Sequence, residues 1–382
     1  MSSGTYQSPW MNDELRMFRK TVRDFIQKEF VPKQSRWYQQ RSPDSEDWIA
    51  AGRVGILLPD MPVEFGGGGN FAYKVVVLEE LAKAGIPFGS TVHSIMAHYI
   101  LDYGSDEQKH TWLPRLACGG LVGAIAMTEP AAGSDLQGIK TTARRDGDSY
   151  IINGSKTFVT NGRHASIICL PVKTNLKAAG PTGISLIIVE TKDLPGYHVG
   201  SPLEKVGLHG QDTCELFFDD VRVPSANLLG TSEGNGFSQM MEQMPYERLI
   251  FSVCAVATAE QAVDITIKYV KERKAFGKSL IDFQNTRFTL AECRTEAHIG
   301  RVFIDNCIER FIAGQLDTVT AAMAKYWLTD CQCRIVDKCV QMHGGYGYMM
   351  EYPIARMWTD SRVQRIYAGT NEIMKEVIGW SF

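Results

Sequence analysis

The hydrophobic period of this chain changes twice, and each change marks a different kind of structure. From Asp13 to Phe30 apolar residues fall at Leu15, Phe18, Val22, Phe25, Ile26 and Phe30. Spacings of three and four put them on one face of a helix, and Pro32 stops it because proline cannot extend the hydrogen-bond ladder. "AYKVVVLEELAKAG" and "HSIMAHYILDYG" repeat the pattern, each closed by a glycine. At about Leu121 this gives way to short β-rich runs, "YIINGSKTFVTNG", "ASIICLPVK", "GISLIIVE" and "CELFFDDVRV". Asp146-Gly147, Asn153-Gly154 and Asn161-Gly162 read as hairpin turns among them, so a small antiparallel sheet is expected, ending near Pro224. Beyond "GTSEGNGF" the helical period returns and holds to the end. This order predicts an α+β fold: a helical domain over 1–120, an antiparallel β domain over 121–229 and a helical domain over 230–382. With neither an internal repeat nor a low-complexity linker, the three are expected to pack as one body.

Charge excludes several partners. The 40 basic and 43 acidic residues are mixed along 382 positions, for a formal net charge of −3, which leaves no footprint for nucleic acid or an anionic membrane. No segment reads as long and apolar enough to span a bilayer. Nine cysteines without a secretory h-region point to free thiols in a reducing compartment. The polar opening "MSSGTYQSPW" lacks the arginines of an organelle presequence. Cys331 and Cys333 have no second Cys/His pair at zinc spacing, so they read as core thiols and no metal site is expected.

No phosphate loop, nucleophile elbow or HExxH helix occurs, and "FGGGGN" lacks the strand and acidic residue of a dinucleotide fingerprint, so it reads as a loop. "MTEPAAGSD" offers the hydroxyls of Thr128 and Ser134 to a ring heteroatom or a phosphate, although alone it reads rather as a solvated loop. "RKAFGKSLIDFQ" sets Arg273 and Phe276 in a glycine turn, suited to an anionic planar ligand or to a plain basic turn. In "QMHGGYGYMMEYP" the pair Gly344-Gly345 lets backbone approach a ligand closely, and "YAGTNEI" adds Thr370 and Glu372.

In this order, "MTEPAAGSD", "FVTNG", "RKAFGKSLIDFQ", "QMHGG" and "YAGTNE" resemble the acyl-CoA dehydrogenase family of flavoproteins, over nearly the whole chain. The resemblance implies an N-terminal helical, a middle antiparallel β and a C-terminal four-helix-bundle domain, a homotetramer, and FAD bound between two subunits. Ile125, Met127, Thr128, Gly133, Ser134, Phe158, Val159 and Thr160 would hold the flavin from one chain. Arg273, Phe276, Gln284, Gln341, Gly344 and Gly345 would reach its adenosine half from the neighbour, with His343 close by, and Thr370 and Glu372 would close over the cofactor. Phe158 stands where many relatives carry tryptophan, which keeps an aromatic wall and loses an N–H donor. Ser134, Tyr246, Arg248, Ala368 and Gly369 would line the acyl-CoA substrate, and an electron-transfer flavoprotein would take the electrons. The implied compartment is the cytoplasm for a bacterial chain and the mitochondrial matrix for a mature eukaryotic one.

The implied reaction removes the α-proton of an acyl thioester as the β-hydrogen leaves as hydride, and it needs a base. In the commonest relatives this is a glutamate in a Tyr-Glu-Gly-Thr turn, where this chain has Ala368. Isovaleryl and long-chain members instead place it in a Glu-Arg-Leu sequence, present here as Glu247-Arg248-Leu249. Beside the uncharged run "IFSVCAVATA", partial desolvation would raise the Glu247 pKa toward neutrality. The alternative is an ordinary charged first helical turn after Pro245. Absence at Ala368 together with presence at Glu247 favours the catalytic reading, with the Ala368 N–H left to stabilise enolate-like charge. The expected substrate is a medium- or long-chain acyl-CoA, straight or branched. Competing readings are a flavin-dependent oxidase or monooxygenase on the same scaffold, a dehydrogenase of carrier-protein-bound acyl groups, and a non-catalytic acyl-CoA binder.

Overall fold

A computed structural model describes residues 6–178 and 180–382, so Met1–Thr5 of the polar opening lie outside the described residues. The first part is helical: α1 (Asp13–Phe25), α2 (Gln34–Gln40), α3 (Ser45–Arg53), α4 (Phe71–Ala84), α5 (Ser90–Tyr103) and α6 (Asp106–Ala117). Asn12 caps α1 by accepting the Leu15 N–H, and the helical path continues as a π-turn over Ile26–Phe30 before Pro32 ends it. Gly85 closes α4 in the left-handed conformation, where it meets no Cβ penalty, whereas Gly104 closes α5 in an extended one.

The middle part is a seven-stranded sheet of β1 (Gly123–Ile125), β2 (Thr142–Asp146), β3 (Ser149–Thr160), β4 (Ile167–Lys173), β5 (Ile184–Glu190), β6 (Tyr197–Val199) and β7 (Thr213–Pro224). Its order is β1-β4-β2-β3-β7-β6, with β5 also paired to β4. Pairing is antiparallel except that β4 runs parallel to β1 and meets β2 in parallel at Lys173. Of the three expected hairpin turns, Asp146-Gly147 joins β2 to β3. Asn153-Gly154 instead lies inside β3, where Gly154 at φ 147° makes a bulge, and a Cβ there would meet Thr141 Cα at 2.7 Å. Asn161-Gly162 does turn the chain, but β3 and β4 are not paired. The Asn161 amide donates to Gly89 O and Gly123 O, both at 3.0 Å, tying the turn to the helical part. Long-range pairing has overridden the turn preference at Asn153-Gly154 and the hairpin expected at Asn161-Gly162.

The last part holds α7 (Gly236–Glu272), a short hairpin of β8 (Lys274–Ala275) and β9 (Lys278–Ser279), α8 (Gln284–Ile312), α9 (Thr318–His343), α10 (Pro353–Ser361) and α11 (Asn371–Gly379). Three of these helices are long, and the shorter α10 and α11 pack on α9. One alternative for α7 falls and one expectation is corrected. The helix begins at Gly236, so Pro245 lies inside it and Glu247 is no first-turn residue. By length and composition α7 is also apolar enough to cross a bilayer, contrary to the sequence reading. Its apolar stretch is 67% buried, and it packs on α4, α5, α8 and α9, which makes it the central core helix.

A buried ionic cluster joins the first and last parts. Arg301 on α8 binds Glu260 of α7 through two 2.8 Å bonds and Glu79 of α4 at 2.5 Å, while Arg19 of α1 reaches the other oxygen of Glu79 at 2.5 Å. All nine cysteines are free, and among the described residues no group of His, Cys, Asp and Glu could hold a metal ion.

Candidate active site

Glu247 is 6% exposed, and the Tyr99 hydroxyl of α5 donates to its Oε1 at 3.0 Å. Burial pushes its pKa up from 4.5 to about 7; the Tyr99 hydrogen bond and the Arg248 charge hold it from rising further. The i, i+1 spacing directs Arg248 elsewhere, and it is buried with Nε and Nη1 unpaired among the described residues. Tyr246, expected at the substrate, is instead committed to the core. Its hydroxyl meets Ser94 Oγ at 2.9 Å and donates to Asp60 at 3.1 Å, and its ring lies 4.1 Å from His98.

One helical turn after Glu247, Phe251 packs on Tyr367 with ring centroids 4.2 Å apart, which brings α7 against the turn carrying Ala368 and Gly369. Ala368 is held at φ 52°, and its N–H has no acceptor among the described residues. A non-glycine residue strained into this region, with a free donor, fits a site for developing negative charge. Lys325, buried in α9, fixes this turn from behind by donating to Gly369 O at 2.6 Å and Asn371 Oδ1 at 3.0 Å. Burial, with the Arg248 charge second, pushes its pKa down to about 7. Lys325→Met strips Gly369 O of its donor. We expect a cost of about 1–3 kcal/mol in the denaturant midpoint together with lower turnover. Wild-type turnover in that variant would show that the turn holds itself. Thr370 caps α11 by accepting from Ile373 N at 3.3 Å, and Glu372 is exposed.

Phe251, Cys254 and Thr258 continue the Glu247 face of α7 and line a cleft whose other walls include Phe88, Val92, Thr160 and Tyr367. Glu247 itself is not part of this lining. Ile125 ends β1, and Met127, Thr128, Gly133 and Ser134 follow it in a loop that meets the end of β3 through the 2.9 Å bond from Thr157 N to Thr128 O. Glu129, one of the two carboxylates of that loop, proves structural. It accepts from Lys140 N at 2.5 Å, Thr141 N at 3.0 Å and the buried Lys156 at 2.8 Å. Val159 is buried, whereas Phe158 is 67% exposed at φ 57°.

A second cleft, sharing no residue with the first, gathers Arg273, Gln341, His343, Gly344 and Gly345. His343 stacks on Tyr269 at 4.2 Å. A Cβ on Gly344 or Gly345 would meet nothing within 4 Å, so the backbone here borders open space. Phe276, at φ 52° and 95% exposed, and the exposed Gln284 lie on the hairpin and the first turn of α8, outside that cleft's lining. Exposed rings at Phe158 and Phe276, and open backbone at Gly344 and Gly345 beside Arg273, leave separate surfaces on which a planar or anionic group could rest. Sequence reasoning missed Tyr99 and the role of Lys325. The one signal was a lysine inside the apolar helical run "AAMAKYW"; nothing in the sequence pairs Tyr99 with Glu247, 148 positions away.

Family models described as the N-terminal, middle and C-terminal domains of acyl-CoA dehydrogenase match residues 12–120, 124–221 and 234–381. The mitochondrial long-chain specific acyl-CoA dehydrogenase of Sus scrofa is 44% identical over 366 residues, which is 95% of this chain and 85% of that protein. A crystal structure of an acyl-CoA dehydrogenase from Geobacillus kaustophilus superposes with a TM-score of 0.96 at 46% identity, over 98% of this chain and 99% of that one. A glutaryl-CoA dehydrogenase from Mycobacterium smegmatis, solved in complex with FADH2, superposes with a TM-score of 0.90 at 28% identity, over 97% and 95% of the two chains. This chain therefore belongs to the acyl-CoA dehydrogenases, FAD-dependent oxidoreductases acting on CH–CH bonds.

Proposed function

We propose that the protein α,β-dehydrogenates a long-chain acyl-CoA, with Glu247 as the base. The observation that carries this reading is a buried carboxyl on α7 with its pKa raised to about 7, one helical turn before Phe251, which packs on Tyr367 beside Ala368. Bound FAD supplies the hydride acceptor for the β-hydrogen. Ile125, Met127, Thr128, Gly133, Ser134, Phe158, Val159 and Thr160 hold the flavin end, and Thr370 and Glu372 close over it. Arg273, Phe276, Gln284, Gln341, Gly344 and Gly345 serve the adenosine end of a neighbouring subunit's FAD, which agrees with the second cleft being separate from the first. Thioester carbonyl charge is met by the Ala368 N–H. Tyr99 occupies Oε1 of Glu247 and leaves Oε2 to take the α-proton. The long acyl chain is accommodated along the Glu247 face of α7, which agrees with the long-chain relative. Electrons pass to an electron-transfer flavoprotein from a homotetramer.

Anaerobic titration with acyl-CoA esters of increasing length, followed by flavin absorbance, tests the half-reaction. Bleaching by long esters is expected. A flavin that no ester bleaches would point to carrier-bound substrates or to another reaction, and rapid reoxidation by air would mark an oxidase.

The Tyr99 contact gives a pH prediction. Tyr99→Phe removes a hydrogen bond that favours the ionised carboxylate, so the Glu247 pKa should climb further above 7. The acid limb of the kcat/KM profile is expected to move up by about 0.5–1 pH unit, the equivalent of one hydrogen bond. An unmoved acid limb would separate Tyr99 from the base.

A further inference from the structure

The cleft beside α7 has a polar wall that dehydrogenation leaves unused. Gln332 of α9 is 1% exposed, and neither its Nε2 nor its Oε1 has a hydrogen-bond partner among the described residues. Gln364, also buried, leaves its Oε1 unpaired. Both border the cleft, as do Thr258 and Asp360, while Leu81 and Val92 belong to its apolar side. Buried amides without partners are costly, so a wall of them marks a place where a bound molecule carries polar atoms.

We propose that the acyl chain taken by this enzyme bears a hydroxyl on its distal part, bound by Gln332 and Gln364. The inference rests on the dehydrogenation reading above. Gln332 offers a donor and an acceptor, and Gln364 an acceptor. A hydroxyl donates and accepts, and so satisfies both kinds of group. A plain alkyl tail satisfies neither. A terminal carboxylate only accepts, and it would face Asp360 in a lining that holds no Lys, Arg or His. Position follows from α9: Gln332 lies two helical turns, about 10 Å at about 1.5 Å per residue, beyond Lys325, which holds the Ala368-Gly369 turn. A hydroxyl held there belongs to the tail and not to the reacting end.

The test uses the holoenzyme and CoA esters of one chain length: unsubstituted, hydroxylated at successive distal carbons, and ω-carboxylated. We expect kcat/KM for one or more hydroxylated esters to exceed that of the unsubstituted ester by about tenfold, the effect of one or two neutral hydrogen bonds. The ω-carboxylated ester should be the poorest. Gln332→Leu should abolish the hydroxyl preference without changing flavin content, and Gln364→Leu should weaken it, which keeps the test open if Gln332→Leu misfolds. Preference of the wild type for unsubstituted or carboxylated esters overturns the inference, as does a hydroxyl preference that survives in both variants. Loss of flavin from Gln332→Leu would instead assign the amide to the cofactor. Absence of turnover with every ester overturns the dehydrogenation reading itself, and this inference with it.

Discussion

Glu247→Gln is expected to slow flavin bleaching by acyl-CoA by about 10²–10⁴-fold, the contribution of a positioned general base, while flavin content and acyl-CoA binding persist. Glutamine keeps the size of the side chain and can still accept from Tyr99, so the lost function is proton abstraction alone. Stability should move the other way. An unfolded carboxyl titrates near 4.5, whereas the folded Glu247 titrates at about 7 because burial disfavours its charge. Between those values the native state binds more protons than the unfolded one, so the wild type loses stability as pH rises through this window. The loss levels off above pH 7 at roughly 3 kcal/mol, from 1.36 kcal/mol per pKa unit. Glu247→Gln lacks that penalty, so its melting temperature should exceed the wild-type value at pH 8 and approach it at pH 4. Such a trade of stability for a poised group is characteristic of active sites. A variant that bleaches at the wild-type rate would remove Glu247 from the mechanism.

Arg301→Met should cost about 3–5 kcal/mol, because it leaves carboxylates buried with their main partner gone. Glu79 is buried on α4, and Glu260 on α7 loses two 2.8 Å bonds. Burial opposes ionisation of Glu79, but Arg301, Lys83 and Arg19 together hold its pKa below the ordinary value. A depressed carboxyl contributes stability above its unfolded pKa and loses it as pH falls through the folded one. The deficit of Arg301→Met is therefore expected to be full at pH 7 and to shrink below about pH 4.5, as protonation replaces pairing. Denaturant midpoints at the two pH values measure it. An equal deficit at both would assign the loss to packing instead of charge.

The sequence by itself determined the three-part order of helices, sheet and helices, because each part buries a face with its own period of 3.6 or 2. The absence of a carboxyl at Ala368 and its presence at Glu247 were also legible, since residue identity at a motif needs no coordinates. Pairings between distant segments were not. Asn153-Gly154 has the composition of a turn, yet β7 pairs across it and makes it a bulge. Pro245 has the look of a helix start, yet α7 extends nine residues before it because its Gly236 end is packed, with Gln239, Met240 and Gln243 buried in its first turns. Tyr99 and Lys325 carry no signature of their own beyond an odd charge in an apolar run. Only the packing of α5 and α9 around α7 and the Ala368 turn decided that one holds the carboxyl and the other holds the turn. Local periodicity fixes which face of an element is buried. What that face meets depends on long-range contacts, and in this protein those contacts set the pKa and the partners of Glu247.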